Sequence, residues 1–252
     1  MARKERDGGA IRFSAVRIRD AASVIAARDD ADGLAVFMVR RSAQAAFLPD
    51  HYVFPGGALD AEDRREAADR ALDGANVAGV EPAFVLAAIR ETFEEAGLLF
   101  ADRVFDGRTL SRARRALADG ETTFVALLRG LDARPDVSEM RYFSHWITPP
   151  ITAHRFDTRF FVARAPADQV AEADASEVHE GRWFRPLEAL AAHERGEIGL
   201  IFPTIKHLER IAEFRSVAAL LAFAQSKRIV TVSPYVDAAG TFSLDEELEA
   251  AW

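Results

Sequence analysis

The most informative segment of this 252-residue chain is Arg90-Glu91-Thr92-Phe93-Glu94-Glu95-Ala96-Gly97-Leu98. On a helix, Glu91, Glu94 and Glu95 fall at i, i+3 and i+4, so their side chains gather on one face. Like charges at this spacing disfavour a helix by about 0.2–0.5 kcal/mol per pair, and the last turns of a helix disfavour anions. A hard divalent cation such as Mg²⁺ reverses both penalties. The pattern therefore indicates a metal site, and a solvated acidic face is the alternative.

The acidic segment lies on a predicted helix from Pro82 to Gly97. Proline suits the first turn of a helix, and glycine commonly ends one. Val85, Ile89 and Phe93 repeat at fourfold spacing and form one apolar face. The helix is therefore expected to pack against a core and to present its carboxylates beside that core.

The other patterns predict a mixture of strands and helices. Strands are expected at residues 23–27, 34–39, 52–54, 145–147, 159–163, 182–184 and 229–232. Helices are expected at 61–72, 111–131 with a break near Gly120, 186–193, 204–214 and 217–225. Asp and Gly residues between the first two strands are typical of a hairpin turn. The order lacks a regular βαβ alternation, which favours a mixed sheet with helices packed against it.

A glycine turn, Phe54-Pro55-Gly56-Gly57, precedes the acidic helix, and the two together resemble the Nudix box. That family pattern is Gly-x5-Glu-x7-Arg-Glu-apolar-x-Glu-Glu-x-Gly-apolar. The residues that match are Gly57, Arg90, Glu91, Glu94, Glu95, Gly97 and Leu98, and Thr92 stands at the first apolar position. The resemblance implies a loop–helix–loop that holds a metal ion against a diphosphate.

The chain departs from the Nudix pattern between the glycine turn and the helix. Thirty-two residues separate Gly57 from Arg90, where the family pattern has thirteen. Pro82 stands at the position of the family's early glutamate. Four carboxylates are candidates to replace that glutamate: Asp60, Glu62, Asp63 and Glu81.

Several segments outside the box resemble the coenzyme A diphosphatase-like branch of the family, which has an insertion in its Nudix box. They are Arg40-Arg41-Ser42, residues 46–49 and 52–57, Trp146-Ile147-Thr148-Pro149, residues 155–161 and Pro203-Thr204. The likeness covers roughly residues 20 to 235. It implies an α/β fold, the Nudix-type α/β/α sandwich around a mixed β-sheet, with helical insertions and a helical C-terminal region.

The same likeness implies one Nudix domain over residues 1–252. The insertion in the box is expected at about 58–81, a helical insertion at about 108–142 and a helical extension at about 203–252. The helices at 61–72 and 111–131 are expected to lie outside the core.

The resemblance also assigns roles to residues of the box. Glu94 and Glu95 are expected to bind Mg²⁺ or Mn²⁺, with Glu91 as a third ligand or as the catalytic base. Arg90 is expected to orient these carboxylates. In many Nudix enzymes the base comes from a loop before a later strand, which makes Glu177 the first candidate here and Glu180 the second. Either could equally be an ordinary loop carboxylate.

The expected substrate is a small molecule with a diphosphate linkage, coenzyme A or an acyl-CoA. Gly56 and Gly57 would approach the diphosphate, and arginines could supply bidentate donors to phosphate. The candidate arginines are Arg40, Arg41, Arg155 and Arg159, each of which could also be a solvated strand residue. A diphosphatase for ADP-ribose, a dinucleotide or another nucleoside diphosphate derivative is the alternative, as is a nucleotide-sensing Nudix module without catalysis. A homodimer is common in the family.

Composition sets the remaining limits. The formal net charge of −8 and a pI near 5.4 argue against a nucleic-acid or membrane-surface partner, both of which favour a basic face. The absence of cysteine excludes disulfides, thiolate metal sites and cysteine nucleophiles. No apolar run approaches the roughly 18 residues of a membrane span, and the N-terminus leads into no apolar signal segment. A cytoplasmic location is therefore expected.

Overall fold

The computed structural model describes residues 17–45, 48–67, 76–152, 154–174, 178–237 and 240–252. Within these ranges, a mixed sheet forms the centre of the fold, in the order β8-β3-β2-β1-β6-β5-β9, with β4 paired to β1 and β7 paired to β2. The strands of this sheet are β1 (Ile18–Asp30), β2 (Gly33–Arg41), β3 (His51–Val53), β4 (Gly56–Ala58), β5 (Met140–Ile147), β6 (Arg155–Arg164), β7 (Val178–Phe184), β8 (Gly199–Leu200) and β9 (Thr231–Val232). A separate small hairpin joins β10 (Tyr235–Val236) to β11 (Phe242–Ser243).

Helices cover both faces of the sheet. They are α1 (Ala61–Glu66), α2 (Pro82–Ala96), α3 (Gly107–Ala118), α4 (Phe124–Gly130), α5 (Pro186–Glu194), α6 (Phe202–Ile211), α7 (Val217–Ser226) and α8 (Glu246–Ala251). The second to fourth helices pack in a core cluster on one face. The fifth to eighth pack in or against a second cluster on the other face. This arrangement confirms the predicted α/β/α sandwich.

Strand β1 shows how the sequence builds these two layers. Ala22, Val24 and Ala26 belong to the cluster that contains α2, whereas Ile25 and Ala27 belong to the opposite cluster. Alternate side chains of a strand point to opposite faces, so a continuous apolar run feeds both cores. Full burial of a Val or Ile side chain stabilises the fold by about 1.5–3 kcal/mol.

Two predictions about the inserted helices need correction. The helix expected at 61–72 ends at Glu66, and residues 68–75 lie outside the described ranges. The expectation that these helices lie outside the core is wrong for α3 and α4. Leu110 of α3, and Phe124 and Leu128 of α4, are buried in the same cluster as α2. Their apolar faces are needed to cover the side of α2 that the sheet leaves open.

Helix α2, which carries Glu91, Glu94 and Glu95, is fixed at both ends. Pro82 occupies its first turn, and Gly97 ends it in the left-handed conformation with φ 69°, donating its N–H to Phe93 O at 3.0 Å. Most of its residues between these ends are buried. A helix packed on nearly every side holds its three carboxylates in one place relative to the sheet. Among the described residues, no helix combines the length and apolarity that crossing a membrane would require.

Candidate active site

The carboxylates of α2 meet the glycine strand β4. The N–H of Gly56 donates to Glu95 Oε2 at 2.9 Å. A Cβ atom on Gly57 would lie 2.4 Å from the carboxyl carbon of Glu91, so no larger residue fits there without moving that carboxylate. A Cβ on Gly56 would lie 2.4 Å from the backbone oxygen of Ala22 on β1. Close approach on both sides therefore explains why β4 consists of glycines at these two positions.

Arg90 links two of the three glutamates. Its Nη1 donates to Glu91 Oε1 at 2.9 Å and to Glu94 Oε2 at 3.1 Å. Its Nη2 also reaches the carbonyl oxygen of Ala58 on β4 at 3.4 Å. The arginine is largely buried, and it neutralises part of the negative charge that gathers on this helix face.

Asp63 of α1 holds Arg90 from the other side. Arg90 Nε and Nη2 donate to the two oxygens of Asp63 at 2.9 and 2.8 Å, a bidentate pair. The Asp63 side chain is only 3% exposed. It also accepts the N–H of Asp60 at 2.8 Å, which fixes it at the start of α1. Of the four carboxylates that could replace the early glutamate of the Nudix pattern, Asp63 is the one that makes this contact, whereas Asp60 lies 3.7 Å from Arg90.

These contacts set the charge states at the site. Burial works against the charge of Arg90, yet the hydrogen bond to Asp63 and the nearby carboxylates outweigh it and raise its pKa above the ordinary value. Burial raises the pKa of Glu91 to about 7; Arg90 opposes this rise and the charge of Glu94 adds to it. The site therefore contains more buried carboxylate than one arginine compensates.

The C-terminal end of α2 is closed by a loop and by a residue of α3. Glu172 and Asp174 donate their N–H groups to the carbonyl oxygens of Ala96 and Glu95 at 2.9 and 3.2 Å. Arg114 of α3 donates to the carbonyl oxygen of Glu94 at 2.8 Å. Sequence reasoning did not identify Arg114, because its only signal was a place on an arginine-rich helix far from the box.

The donor set suits a divalent cation. Glu91, Glu94 and Glu95 lie along one side of α2 and are called the carboxylate strip below. Their carboxylate oxygens are the ligands that hard cations prefer. In the structure these side chains are hydrogen-bonded to Arg90 and Gly56. Within the described ranges, no three His, Asp or Glu side chains are arranged as a complete set of metal ligands. The gathering of buried carboxylates around Arg90 fits a cation at this strip.

The four predicted phosphate-binding arginines lie on two strands that β1 separates. Arg40 pairs with Asp50 at 3.2 Å, and Arg41 follows it at the end of β2. Arg155 donates its Nε to Thr148 O at 3.0 Å. Arg159 pairs with an aspartate of its own strand and lies over a ring of α2 at 4.3 Å from its centroid. The structure therefore does not gather these arginines into one cluster.

The two candidate bases have different outcomes. Glu177 lies outside the described residues. Glu180 lies on β7 and is hydrogen-bonded to the hydroxyl of Tyr52, a residue of the core on the face away from α2. Together with burial, this contact raises the pKa of Tyr52 to about 12. Glu180 therefore lines a polar cavity of about 650 Å³ on that face and does not lie at the carboxylate strip.

Comparison with known proteins agrees with this geometry. The family model of the NUDT19 Nudix domain matches residues 66–211, more than half of the chain. The chain belongs to the Nudix hydrolase family. The predicted likeness to its coenzyme A diphosphatase branch is thereby confirmed. A crystal structure of a NUDIX hydrolase from Alicyclobacillus acidocaldarius has a TM-score of 0.73 and 28% identity, and the alignment covers 83% of this chain and 97% of that one.

Curated relatives carry a more specific name. Acyl-coenzyme A diphosphatase NUDT19 of Homo sapiens is 27% identical over 245 residues, which cover 77% of this chain and 64% of that protein. The protein of the same name in Xenopus laevis is 26% identical over 239 residues, with coverage of 75% and 62%. This Nudix chain thus spans just under two thirds of the length of these relatives.

Proposed function

We propose that this Nudix protein is a divalent-metal-dependent diphosphatase that cleaves the diphosphate of coenzyme A or an acyl-CoA. The products would be a phosphopantetheine and an adenosine 3',5'-bisphosphate. The observation that carries the proposal is the strip of Glu91, Glu94 and Glu95 packed against Gly56 and Gly57. The substrate class rests on the named relatives.

Residues of the carboxylate strip, Arg90 and the two glycines would each have a role in this reaction. Glu94, Glu95 and Glu91 would hold Mg²⁺ or Mn²⁺, and a bound cation of this kind supplies charge neutralisation and lowers the pKa of water for attack on phosphorus. Arg90 keeps Glu91 and Glu94 side by side through its shared Nη1. Gly56 fixes Glu95 through its N–H, and the missing side chain of Gly57 lets the carboxylate of Glu91 lie against β4. Glu91 or Glu177 would accept the proton of the attacking water.

A hydrolysis panel with product analysis tests this proposal. Coenzyme A, its 3'-dephospho form, ADP-ribose, a dinucleotide and a nucleoside triphosphate are each incubated with Mg²⁺, with Mn²⁺ and with a chelator. We expect metal-dependent cleavage, fastest for the coenzyme A compounds. Faster cleavage of ADP-ribose or a dinucleotide would assign the site to another diphosphate. Binding without cleavage of any compound would favour a nucleotide-sensing module.

The 3'-phosphate offers a finer measurement within the same panel. One charge-assisted contact contributes about 1.5–3 kcal/mol, roughly ten- to a hundredfold in binding. The enzyme should then prefer coenzyme A over its 3'-dephospho form by that factor. If Arg155→Gln removes this preference, Arg155 is the residue that binds the 3'-phosphate. Arg159 is a weaker candidate for binding the 3'-phosphate, because it is already paired with Asp157. Equal rates on the two compounds would exclude such a contact.

A further inference from the structure

An apolar cavity that opens to solvent lies on the face of the sheet opposite α2. Its volume is about 480 Å³, within the size range of small-molecule sites. The largest apolar side chains that line it are those of Trp146, Phe156, Phe160, Leu200, Phe202 and Phe242. Its polar side chains are three threonines and His51, and none of the described lining residues is Asp, Glu, Lys or Arg. This cavity is called the apolar pocket below.

We propose that the apolar pocket binds the acyl chain of an acyl-CoA and makes turnover depend on the length of that chain. The inference rests on the proposed function and adds a binding site for the acyl part of the substrate. The phosphates of a coenzyme A compound carry negative charge, and its adenosine and pantetheine parts are rich in hydrogen-bonding groups. Burying either kind of group without a partner is costly. The acyl chain is the uncharged end, and it needs only apolar walls.

The pocket wall is connected to the carboxylate strip through the sheet. Phe160 of the pocket is in register with Ser23 of β1, and Ser23 is in register with Gly56 of β4. Gly56 in turn donates to Glu95. Adjacent strands lie about 4.8 Å apart, so about 10 Å of sheet separates the wall from the glycine strand. A long arm that leaves the diphosphate would pass the edge of the three-residue strand β4 to reach the pocket.

The neighbouring polar cavity is a poor alternative for an acyl chain. Among the described lining residues, it shares only His51 with the apolar pocket. Its lining contains three arginines and four carboxylates: Arg40, Arg182, Arg195, Asp50, Glu180, Glu188 and Glu197. An acyl chain there would remove water from these charges and gain little in return. The two cavities therefore differ in the part of a ligand that each accepts.

The first test compares kcat/KM for coenzyme A and for its acetyl, butyryl and octanoyl thioesters. Each buried methylene can contribute up to about fourfold, so we expect a rise of about tenfold or more from acetyl to octanoyl. Thr158→Phe places a ring in the pocket and should reduce the octanoyl-to-acetyl ratio toward one. The matched control is Thr122→Phe, in the loop between α3 and α4, which should retain the ratio. If Thr158→Phe does not fold, Phe242→Ala at the partly exposed rim should lower the same ratio.

The second test separates the pocket from the chemistry. Calorimetry with S-octanoyl-pantetheine, which has no diphosphate, should show binding that pantetheine lacks and a negative heat-capacity change. Cleavage of all coenzyme A compounds at one rate, with no binding of S-octanoyl-pantetheine, would overturn the pocket assignment and leave the proposed function intact. No cleavage with retained binding would overturn the proposed function alone. Displacement of S-octanoyl-pantetheine by adenosine 3',5'-bisphosphate would show that the pocket is a nucleotide site.

Discussion

Replacing Asp63 by Asn probes the contact that joins α1 to the carboxylates of α2. The two carboxylate oxygens of Asp63 accept from Arg90 at 2.9 and 2.8 Å, in a place where Asp63 is 3% and Arg90 11% exposed. Asn has the same shape but presents an NH₂ group to one of the guanidinium donors. Breaking a buried ion pair costs about 3–5 kcal/mol. Because Glu91 and Glu94 still compensate Arg90, we expect the lower end, about 3 kcal/mol.

Urea unfolding measures this loss in the free energy of unfolding. A loss of this size corresponds to a fall of about 6–12 °C in Tm for a domain of this length. The matched control is Glu62→Gln on the same helix, whose exposed pair with Arg65 should contribute less than about 0.5 kcal/mol. A double-mutant cycle with Arg90→Gln then isolates the pair energy. A loss below about 1 kcal/mol for Asp63→Asn would refute the assignment of Asp63 as the buttress of Arg90.

The same variant should also affect catalysis. Partners that orient metal-ligating groups typically change activity by about 10–100-fold when they are removed. We therefore expect Asp63→Asn to lower kcat by that factor and to change KM less, because Asp63 lies behind Arg90 and away from the substrate. Equal loss of activity in Glu62→Gln would show that the effect is not specific to the Arg90 contact.

Three further changes address the site and the core. Glu94→Gln should lower kcat by orders of magnitude with little loss of stability, since it removes a partly exposed ligand charge without a cavity; wild-type turnover would exclude Glu94 as a ligand. Gly57→Ala should displace Glu91 and lower kcat, whereas Gly107→Ala, which meets nothing within 4 Å, should retain it. Burial lowers the pKa of His207 from 6.5 to about 3, so the unfolded chain takes up a proton that the native state excludes. The raised pKa of Glu91 acts in the opposite sense over part of this range, so the measurement is a comparison with His207→Gln. In urea titrations, the stability of the wild type should fall relative to that of His207→Gln by up to about 1.4 kcal/mol per pH unit between pH 6 and 4.

The sequence was sufficient to predict the helix of the box and the grouping of its glutamates. The signals for this helix are the apolar periodicity from Val85 to Phe93 and the terminal residues Pro82 and Gly97. These signals are local in sequence, so they can be recognised without knowledge of the fold. The two-residue strands β8, β10 and β11 were not predicted, because two residues carry no alternation; the two-residue strand β9 was predicted because it lies in the apolar run 229–232. The partner of Arg90 was narrowed to four carboxylates, and only the folded position of α1 distinguishes them.

The place of α3 and α4 in the core was misjudged for a different reason. Leu110, Ala113 and Leu117 of α3 follow an i, i+3, i+7 pattern, but four arginines surround them in the sequence. A narrow apolar stripe on a charged helix is also typical of a surface insertion. Only the tertiary structure distinguishes a core helix from a surface insertion here. The side of α2 that faces away from the sheet has to be covered, and α3 and α4 cover it.

The long insertion between Gly57 and Arg90 has an energetic consequence for the contacts of α2. The buttress of Arg90 comes from a residue 27 positions away, where the family pattern places it eight positions away. Closing the longer loop costs about 1 kcal/mol more in chain entropy. A single charge-assisted hydrogen bond contributes about 1.5–3 kcal/mol, and Asp63 accepts two from Arg90. The bidentate geometry therefore offsets the longer loop, and the contact from α1 makes the insertion part of the site it interrupts.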